Sequence, residues 1–202
     1  KVFGYSQITT KCFTLGGVDH FYTQKMSWSG ITRFPHNSFV WKGPDGSAIL
    51  THLSNTGYNG EIRIAETLHA ELEYRQSDVH DEVLIGAGYG DGGGGATEEH
   101  IERARRMKDL ARIPRVSFST VENFFKRLGK VRDDLPVYRG ELYLEYHRGT
   151  TTTQSDFKYF FRRCERGLQD REAVHVLQGK GPLHRDEWLR YIFAQFHDAI
   201  PG

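Results

Sequence analysis

One stretch constrains the fold more than any other: residues 86–95 contain seven glycines and a single carboxylate, Asp91. Glycine has no Cβ atom, so the backbone here can adopt positive φ angles and a ligand can approach the main chain closely. The stretch follows a strand-like segment, residues 82–85, and precedes a helix-like segment, residues 97–110. Loops at the carboxyl ends of parallel strands are where α/β proteins place ligands and catalytic groups. The pattern therefore predicts that Asp91 is presented to a substrate at a strand end.

Two other interpretations of the glycine stretch stay open. Residues 88–93 match the G-x-G-x-x-G pattern of dinucleotide-binding loops. Against this, the glycines continue to Gly95, Asp91 places a negative charge where a pyrophosphate should sit, and no Gly-Lys-Ser/Thr sequence follows. The remaining interpretation is a flexible surface loop that binds no ligand.

Strands and helices alternate between residues 18 and 129, which predicts an α/β fold with a parallel sheet. A Pro-Asp-Gly turn at residues 44–46 predicts that the flanking strands form a hairpin. Thr97 and Thr120 are predicted to cap helices, and Gly129 to end one. The predicted strands are residues 18–23, 39–42, 48–52, 83–85, 115–119 and 141–146, and the predicted helices are residues 62–77, 97–110, 120–128, 157–177 and 186–198.

The pattern changes after Pro136, where helices replace the alternation of strands and helices. A domain boundary is predicted near residues 140–150, with a helical module after it. Ser155 or Asp156 is expected to cap the long helix of that module.

Composition excludes some functions. Lys and Arg total 27 against 26 for Asp and Glu, so the net charge does not indicate nucleic acid or an anionic membrane as a partner. No apolar segment has the length of a membrane span. Cys12 and Cys164 lie far apart, which favours two free thiols in a reducing compartment. The chain begins at Lys1 rather than Met, so a piece of a longer protein is expected.

A few other residues could carry chemistry. Asp45 lies in the Pro-Asp-Gly turn and is interpreted as a turn former. His197 and Asp198 close the last predicted helix, where a histidine can serve the helix dipole, belong to the core or bind a metal beside the carboxylate. Trp28 and Trp41 are expected in the core more than as sugar platforms.

Taken together and in order, a series of motifs resembles glycoside hydrolase family 38, the retaining α-mannosidases, and above all its cytosolic/vacuolar subgroup. The Gly-Asp-Gly-Gly-Gly-Gly loop of that subgroup stands here at residues 90–95. The other motifs are Val-Phe-Gly-Tyr-Ser at 2–6, Thr-Gln-Lys-Met-Ser-Trp at 23–28, Phe-Pro-His at 34–36, Phe-Val-Trp at 39–41, Asp-Gly-Ser at 45–47, Leu-Thr-His at 50–52, Ile-Pro-Arg-Val at 113–116, Glu-Tyr-His-Arg-Gly-Thr at 145–150 and Gln-Phe-His-Asp at 195–198.

The resemblance implies both fold and function. Residues 1–145 are expected to be the C-terminal part of a seven-stranded parallel β/α barrel-like catalytic domain, and residues 146–202 the start of a three-helix bundle. The implied activity is retaining hydrolysis of terminal α-mannose from oligosaccharides. The implied cofactor is a divalent metal, zinc or in some members cobalt. The implied location is the cytoplasm, with the vacuole as an alternative.

The resemblance also assigns roles to individual residues. Asp91 matches the general acid/base, His197 a metal ligand, Asp198 a sugar-contacting neighbour and Tyr58 a sugar-contacting tyrosine. Asp91 and His197 are therefore expected to converge on one saccharide pocket.

Two departures from the family qualify this assignment. The His-x-His-x-Asp metal motif is absent, and Lys1 stands where the nucleophilic Asp is expected, either as an artefact of the chain boundary or as a real change. A lysine cannot act as the anionic nucleophile of a retaining glycosidase. The isolated chain is therefore expected to be inactive and to need the N-terminal part of the same enzyme. A non-catalytic mannoside-binding protein and a dinucleotide-binding domain are the alternative functions.

Overall fold

The computed structural model describes residues 4–183 and 185–201. The chain separates into two compact units. The larger unit contains the described residues from 4 to 146, and the smaller unit those from 147 onward. The two units are described below one at a time.

The larger unit is built on a mixed sheet of four strands. The strands are β1 (His20–Thr23), β2 (Ser38–Lys42), β3 (Ala48–Leu53) and β4 (Val137–Arg139), in the order β1-β3-β2-β4. The hairpin prediction is confirmed, because β2 and β3 pair antiparallel around the turn at residues 43–47. The prediction of a parallel sheet is right only for the pairs β1–β3 and β2–β4.

Short helices connect and cover the strands. They are α1 (Thr9–Leu15), α2 (Ile64–Leu72), α3 (Glu98–Arg106) and α4 (Val121–Leu128), together with 3-10 helices at Lys25–Trp28, Met107–Asp109 and Gly129–Asp134. A further 3-10 helix, Glu145–Thr151, contains the point in the chain where the larger unit ends. The two predicted caps are confirmed, since Thr97 accepts a hydrogen bond from the backbone N–H of His100 and Thr120 from that of Asn123. Each cap satisfies a backbone N–H that has no partner within its helix.

Three predicted strands are absent from the sheet. Residues 83–85 and residues 115–119 have no regular secondary structure, so neither segment forms a strand of the sheet. Of residues 141–146, only Leu142 pairs, in an isolated bridge with Tyr5. Apolar and alternating residues also occur in extended segments that pack on a domain through their side chains, so the pattern alone overestimates strands. The consequence is that the glycine stretch does not follow a strand, contrary to the prediction.

Hydrophobic residues pack on both faces of the sheet. One face carries Phe39, Trp41 and Leu53, which pack with Tyr5, Met26 and Leu142. On the other face, Leu50 packs against α4 through Phe124, Phe125 and Leu128. This second cluster also includes Leu84, which fixes the segment before the glycine stretch to the core.

The smaller unit contains α5 (Ser155–Leu177) and α6 (Arg185–Phe193). Phe161 of α5 stacks on Tyr191 of α6 with ring centroids 4.2 Å apart. The capping prediction is wrong here, because Gln154 precedes α5 in a left-handed conformation with φ of 54° and no side chain caps the helix. Helix α6 ends at Phe193, earlier than predicted, so His197 and Asp198 lie in the turn that follows it. Among the described residues, no helix combines the length and apolar character that crossing a membrane requires.

Candidate active site at the carboxyl edge of the sheet

Two loops leave the sheet at the same edge. Strands β1 and β3 run parallel, and their last residues, Thr23 and Leu53, are paired. The turn Lys25–Trp28 and the loop of residues 54–60 therefore both begin at the carboxyl edge of these strands. This is the place where parallel strands of α/β proteins present functional groups.

The glycine stretch is attached to the second of these loops. The N–H of Gly60 donates to the carbonyl of Gly86 at 3.1 Å, and the N–H of Gly88 donates to the carbonyl of Gly60 at 2.9 Å. A Cβ atom on Gly60 would lie 2.0 Å from the carbonyl oxygen of Gly86, so this approach requires glycine. The glycine stretch is thus held in place by backbone contacts.

Asp91 and Tyr58 come together at this edge, although 33 residues separate them in sequence. The Tyr58 hydroxyl donates a hydrogen bond to a carboxylate oxygen of Asp91. Asp91 adopts φ of 55°, a left-handed conformation that aspartate tolerates better than most residues. The preceding peptide is also fixed, because the N–H of Gly90 donates to the side-chain oxygen of Asn59. Two of the four predicted site residues are therefore neighbours in the fold.

Gly90 provides the room for this pair. A Cβ atom at position 90 would lie 2.2 Å from Cδ2 of Tyr58 and 2.8 Å from the side-chain oxygen of Asn59. A side chain there would push the phenol away from the carboxylate. The glycine is needed for close approach, as the sequence predicted, but what approaches it here is the neighbouring loop.

A buried lysine completes this cluster. The Lys25 side-chain nitrogen lies 3.5 Å from the centroid of the Trp28 ring and 4.7 Å from that of Tyr58. Lys25 is only 3% exposed. Ammonium groups are attracted to aromatic faces, and the attraction is larger where water is excluded. The edge therefore combines a carboxylate, an ammonium group and two aromatic rings, one of which carries the Tyr58 hydroxyl.

The sequence analysis did not single out Lys25, and it expected Trp28 in the core. Trp41 is buried in the core as expected, and its indole N–H donates to the carbonyl of Gly140 at 2.9 Å. Trp28, in contrast, lies beside Tyr58 with ring centroids 6.1 Å apart. The motif at residues 23–28 contains both residues, but nothing in its spacing shows that the lysine points to an aromatic pair.

A polar network lies beneath the edge, around His52 of β3. Its Nδ1 lies 2.9 Å from the Ser38 hydroxyl, which in turn lies 2.8 Å from the Tyr74 hydroxyl. Its Nε2 accepts a hydrogen bond of 3.3 Å from the backbone N–H of Leu84. Burial, with a smaller contribution from the charge of nearby His80, lowers the pKa of His52 to about 3. The imidazole is therefore neutral at physiological pH.

His197 and Asp198 occupy the smaller unit. The Nε2 of His197 lies 3.3 Å from a carboxylate oxygen of Asp198, and the two side chains are 23% and 68% exposed. Imidazole nitrogen and carboxylate oxygen are suitable zinc ligands. Among the described residues, however, no group of three or more His, Cys, Asp or Glu side chains is placed to hold a metal ion. The described residues therefore place His197 beside one carboxylate but do not form a metal site around it.

The remaining candidates have structural roles or fall outside the described residues. Asp45 accepts hydrogen bonds from the Ser47 N–H at 3.1 Å and hydroxyl at 2.7 Å, as a turn former does. Cys12 and Cys164 are free and exposed. Lys1, the residue at the expected position of the nucleophile, lies outside the described residues.

The smaller unit also has an open groove of about 460 Å³ between α5 and α6. Its lining includes Phe161, Arg162, Glu165 and Tyr191. The groove does not include His197 or Asp198, so we assign it no part in the candidate site.

Comparison with known families identifies two adjoining regions. Residues 1–141 match the N-terminal domain of glycosyl hydrolases family 38, and residues 145–202 match the alpha mannosidase middle domain. These matches meet in the same region of the chain where the two compact units meet.

Several proteins with similar sequences are named as alpha-mannosidases. Alpha-mannosidase G of Dictyostelium discoideum is 39% identical, the alpha-mannosidase of Saccharomyces cerevisiae 36%, and human alpha-mannosidase 2C1 34%, each over 99% of this chain. The matched regions are 19%, 20% and 20% of those proteins, so the chain spans about a fifth of their length. An alpha-mannosidase structure from Enterococcus faecalis V583 superimposes with a TM-score of 0.67 at 16% identity, covering 100% of this chain and 25% of that one. This last likeness concerns the fold.

Proposed function

Because the chain belongs to glycosyl hydrolase family 38, we propose that the protein carrying it hydrolyses terminal α-mannosides with retention of configuration. The substrate class is mannose-containing oligosaccharides. The observation that supports this most is the pairing of Asp91 with Tyr58 at the carboxyl edge of the sheet. The pair joins a carboxylate to a hydrogen-bond donor on a loop that is fixed by backbone contacts.

Asp91 is the general acid/base of this proposal. In the first step its carboxyl group protonates the departing glycosidic oxygen while a second carboxylate attacks the anomeric carbon. In the second step the Asp91 carboxylate takes a proton from the water that releases the sugar. Tyr58 orients the Asp91 carboxylate through its hydrogen bond, and the Trp28 ring offers an apolar face beside it.

The second carboxylate of a retaining enzyme lies about 5–5.5 Å from the first. The family resemblance places this nucleophile at the position of Lys1, and an ammonium group cannot form the covalent intermediate. We therefore propose that this chain alone is inactive. The proposed activity requires a carboxylate at position 1 as well as the groups that the N-terminal part of the same enzyme supplies.

His197 is proposed to hold a divalent metal, zinc or cobalt, with Asp198 contacting the sugar. Such a metal supplies Lewis-acid binding of the sugar hydroxyls when present. The partly exposed imidazole next to a carboxylate supports this role for the His197 side chain. That Asp91 and His197 serve one saccharide pocket remains a prediction.

The finer architecture is also proposed from the family. The four strands are assigned to a seven-stranded barrel-like domain, and α5 and α6 to a three-helix bundle. The match of residues 145–202 to the middle domain supports the second assignment. A cytoplasmic location is proposed as well, and the two exposed free thiols support it.

The test uses the full-length protein that contains this chain, called the parent protein below. It is incubated with an aryl α-mannoside, with and without a chelator. Hydrolysis that the chelator abolishes supports a metal-dependent mannosidase. Binding of mannoside without turnover would indicate a non-catalytic relative. Dinucleotide binding is disfavoured, because residues 83–85 do not form the strand that its fingerprint requires.

A further inference from the structure

The segment before the glycine stretch is held without a β-ladder. Residues 82–86 have no regular secondary structure, and no backbone hydrogen bond joins them to a strand of the described sheet. At Leu84, hydrogen bonds to side chains hold the backbone in place of a β-ladder. Its N–H donates to His52 Nε2 at 3.3 Å, and its carbonyl oxygen lies 3.5 Å from the Tyr22 hydroxyl.

These side chains come from one row across three strands. Tyr22 of β1 and Ser38 of β2 are both register partners of His52 on the central strand β3. The rings of Tyr22 and His52 stack with centroids 6.1 Å apart. Phe124 of α4 covers the imidazole with a centroid separation of 4.7 Å. Within this row, His52 and Tyr22 present their hydrogen-bonding atoms to the backbone of Leu84.

The hydrogen bonds determine the imidazole tautomer. Because the Leu84 N–H is a donor, His52 Nε2 must be the unprotonated nitrogen that accepts it. A neutral imidazole then carries its proton on Nδ1, which donates to the Ser38 hydroxyl at 2.9 Å. The Ser38–Tyr74 hydrogen bond of 2.8 Å extends this network. With both its nitrogens bonded, the buried ring has one orientation and one tautomer.

Leu84 is close in sequence to the contacts that position Asp91. Gly86 and Gly88 follow it and bond to Gly60, and Asp91 then meets Tyr58. If the backbone at Leu84 shifted along the chain direction, Gly86 and Gly88 would no longer be aligned with Gly60. Misplacing a catalytic group by about 1 Å can cost on the order of 100-fold in rate.

We propose that His52 is a positioning residue for Asp91, which it sets in place by accepting the hydrogen bond of the Leu84 N–H. The proposal rests on the function proposed above. It assigns His52 no contact with the substrate.

Two substitutions of His52 separate its hydrogen bond with Leu84 from its hydrogen bond with Ser38. His52→Gln places an amide oxygen near the position of Nε2 and keeps an acceptor for Leu84. His52→Asn places an amide nitrogen near the position of Nδ1 and keeps the donor to Ser38, but removes the acceptor. Tyr74→Phe is the matched control, because it removes a hydroxyl from the same network without touching the His52–Leu84 bond.

The parent protein is assayed with an aryl α-mannoside, and hydrogen exchange is measured on peptides that cover residues 82–91. We expect His52→Asn to lower kcat about 10-fold or more at nearly unchanged KM and to accelerate exchange in these peptides. His52→Gln is expected to restore both to near the original values. Tyr74→Phe is expected to lower the melting temperature but to leave kcat and this exchange unchanged.

Equal losses of kcat in the Asn and Gln variants would overturn the proposal, as would a Tyr74→Phe variant that matches His52→Asn. If His52→Asn does not fold, hydrogen exchange of the Leu84 amide is measured in the unsubstituted protein, because this N–H is the group bonded to His52 Nε2. Strong protection of the Leu84 amide is then the expected result, and exchange at the rate of an unbonded amide contradicts the proposal. An inactive original protein would refute the mannosidase function, while the exchange data would still decide the role of His52.

Discussion

The two compact units hold their candidate site residues in different ways. In the larger unit, Tyr58 and Asp91 are 33 residues apart in sequence and meet through the fold. In the smaller unit, His197 and Asp198 are neighbours in sequence, so their proximity requires no fold at all. The first pair can therefore be disturbed through the residues that support it, whereas the second can be tested only by changing its own members.

The units also differ in how they bury apolar side chains. The larger unit has two hydrophobic clusters on the faces of its sheet and a third around α3. In the described part of the smaller unit, only Phe161 and Leu183 are buried hydrophobic residues, while Phe160 is 59% exposed and Phe193 82% exposed. The larger unit is thus the part of this chain whose site is supported by a core.

The largest effect is expected from Asp91→Asn in the parent protein. An amide cannot donate a carboxyl proton or accept one from water, so activity on unactivated mannosides should fall about 1,000-fold. Steady-state kinetics measure this loss. Asp45→Asn is the control, since it makes the same chemical change in a surface turn and should leave kcat unchanged. Comparable activity in both variants would remove Asp91 from the mechanism.

Phe161→Ala tests how far the smaller unit depends on its few buried contacts. Phe161 is 9% exposed and stacks on Tyr191, so its truncation should cost about 3 kcal/mol in the stability of that unit. Phe160→Ala is the control and should cost less than about 0.5 kcal/mol. Peptide-resolved exchange during urea unfolding measures both. Equal costs would show that the two phenylalanines are similarly buried in the parent protein.

Acid should weaken the larger unit before the smaller one. The pKa of His52 is about 3 in the folded state and about 6.5 when unfolded, so the unfolded chain binds the extra proton between these values. The contribution of neutral His52 is complete above pH 6.5, and about 2 kcal/mol of it is lost by pH 5.

The same unfolding experiment, repeated across this pH range, measures that loss. In the described part of the smaller unit, no histidine belongs to the buried residues, so its stability should change less. His52→Gln should remove most of the pH dependence of the larger unit. A slope that persists in this variant would assign the effect to another group.

Gly90→Ala should lower kcat about 10-fold, because the new Cβ would lie 2.2 Å from the Tyr58 ring and displace the phenol from Asp91. Gly95→Ala is the matched control, since a Cβ at that position meets nothing within 4 Å. Steady-state kinetics of the two variants show whether the close packing of Gly90 against Tyr58 is needed to hold Asp91 in place. Equal rates would show that the close approach at position 90 is unimportant for activity.

The difference between the units also shows what a sequence can predict. The hairpin around residues 44–46 and the caps Thr97 and Thr120 are local, and all three were predicted correctly. The strand at residues 83–85 was wrongly predicted, because an apolar segment held by His52 looks the same as a strand. Lys25 was missed because its position over Trp28 and Tyr58 depends on two loops that are brought together only by the parallel pairing of β1 and β3.

The most direct test of the central claim is chemical rescue of an Asp91→Gly variant of the parent protein. Glycine is chosen because position 91 has φ of 55°. With a dinitrophenyl α-mannoside, the leaving group needs no proton, so the covalent intermediate should form and accumulate. Azide, which needs no general base, should then restore turnover and yield α-mannosyl azide. If azide has no effect, or if the β-anomer is formed, Asp91 is not the acid/base of a retaining α-mannosidase.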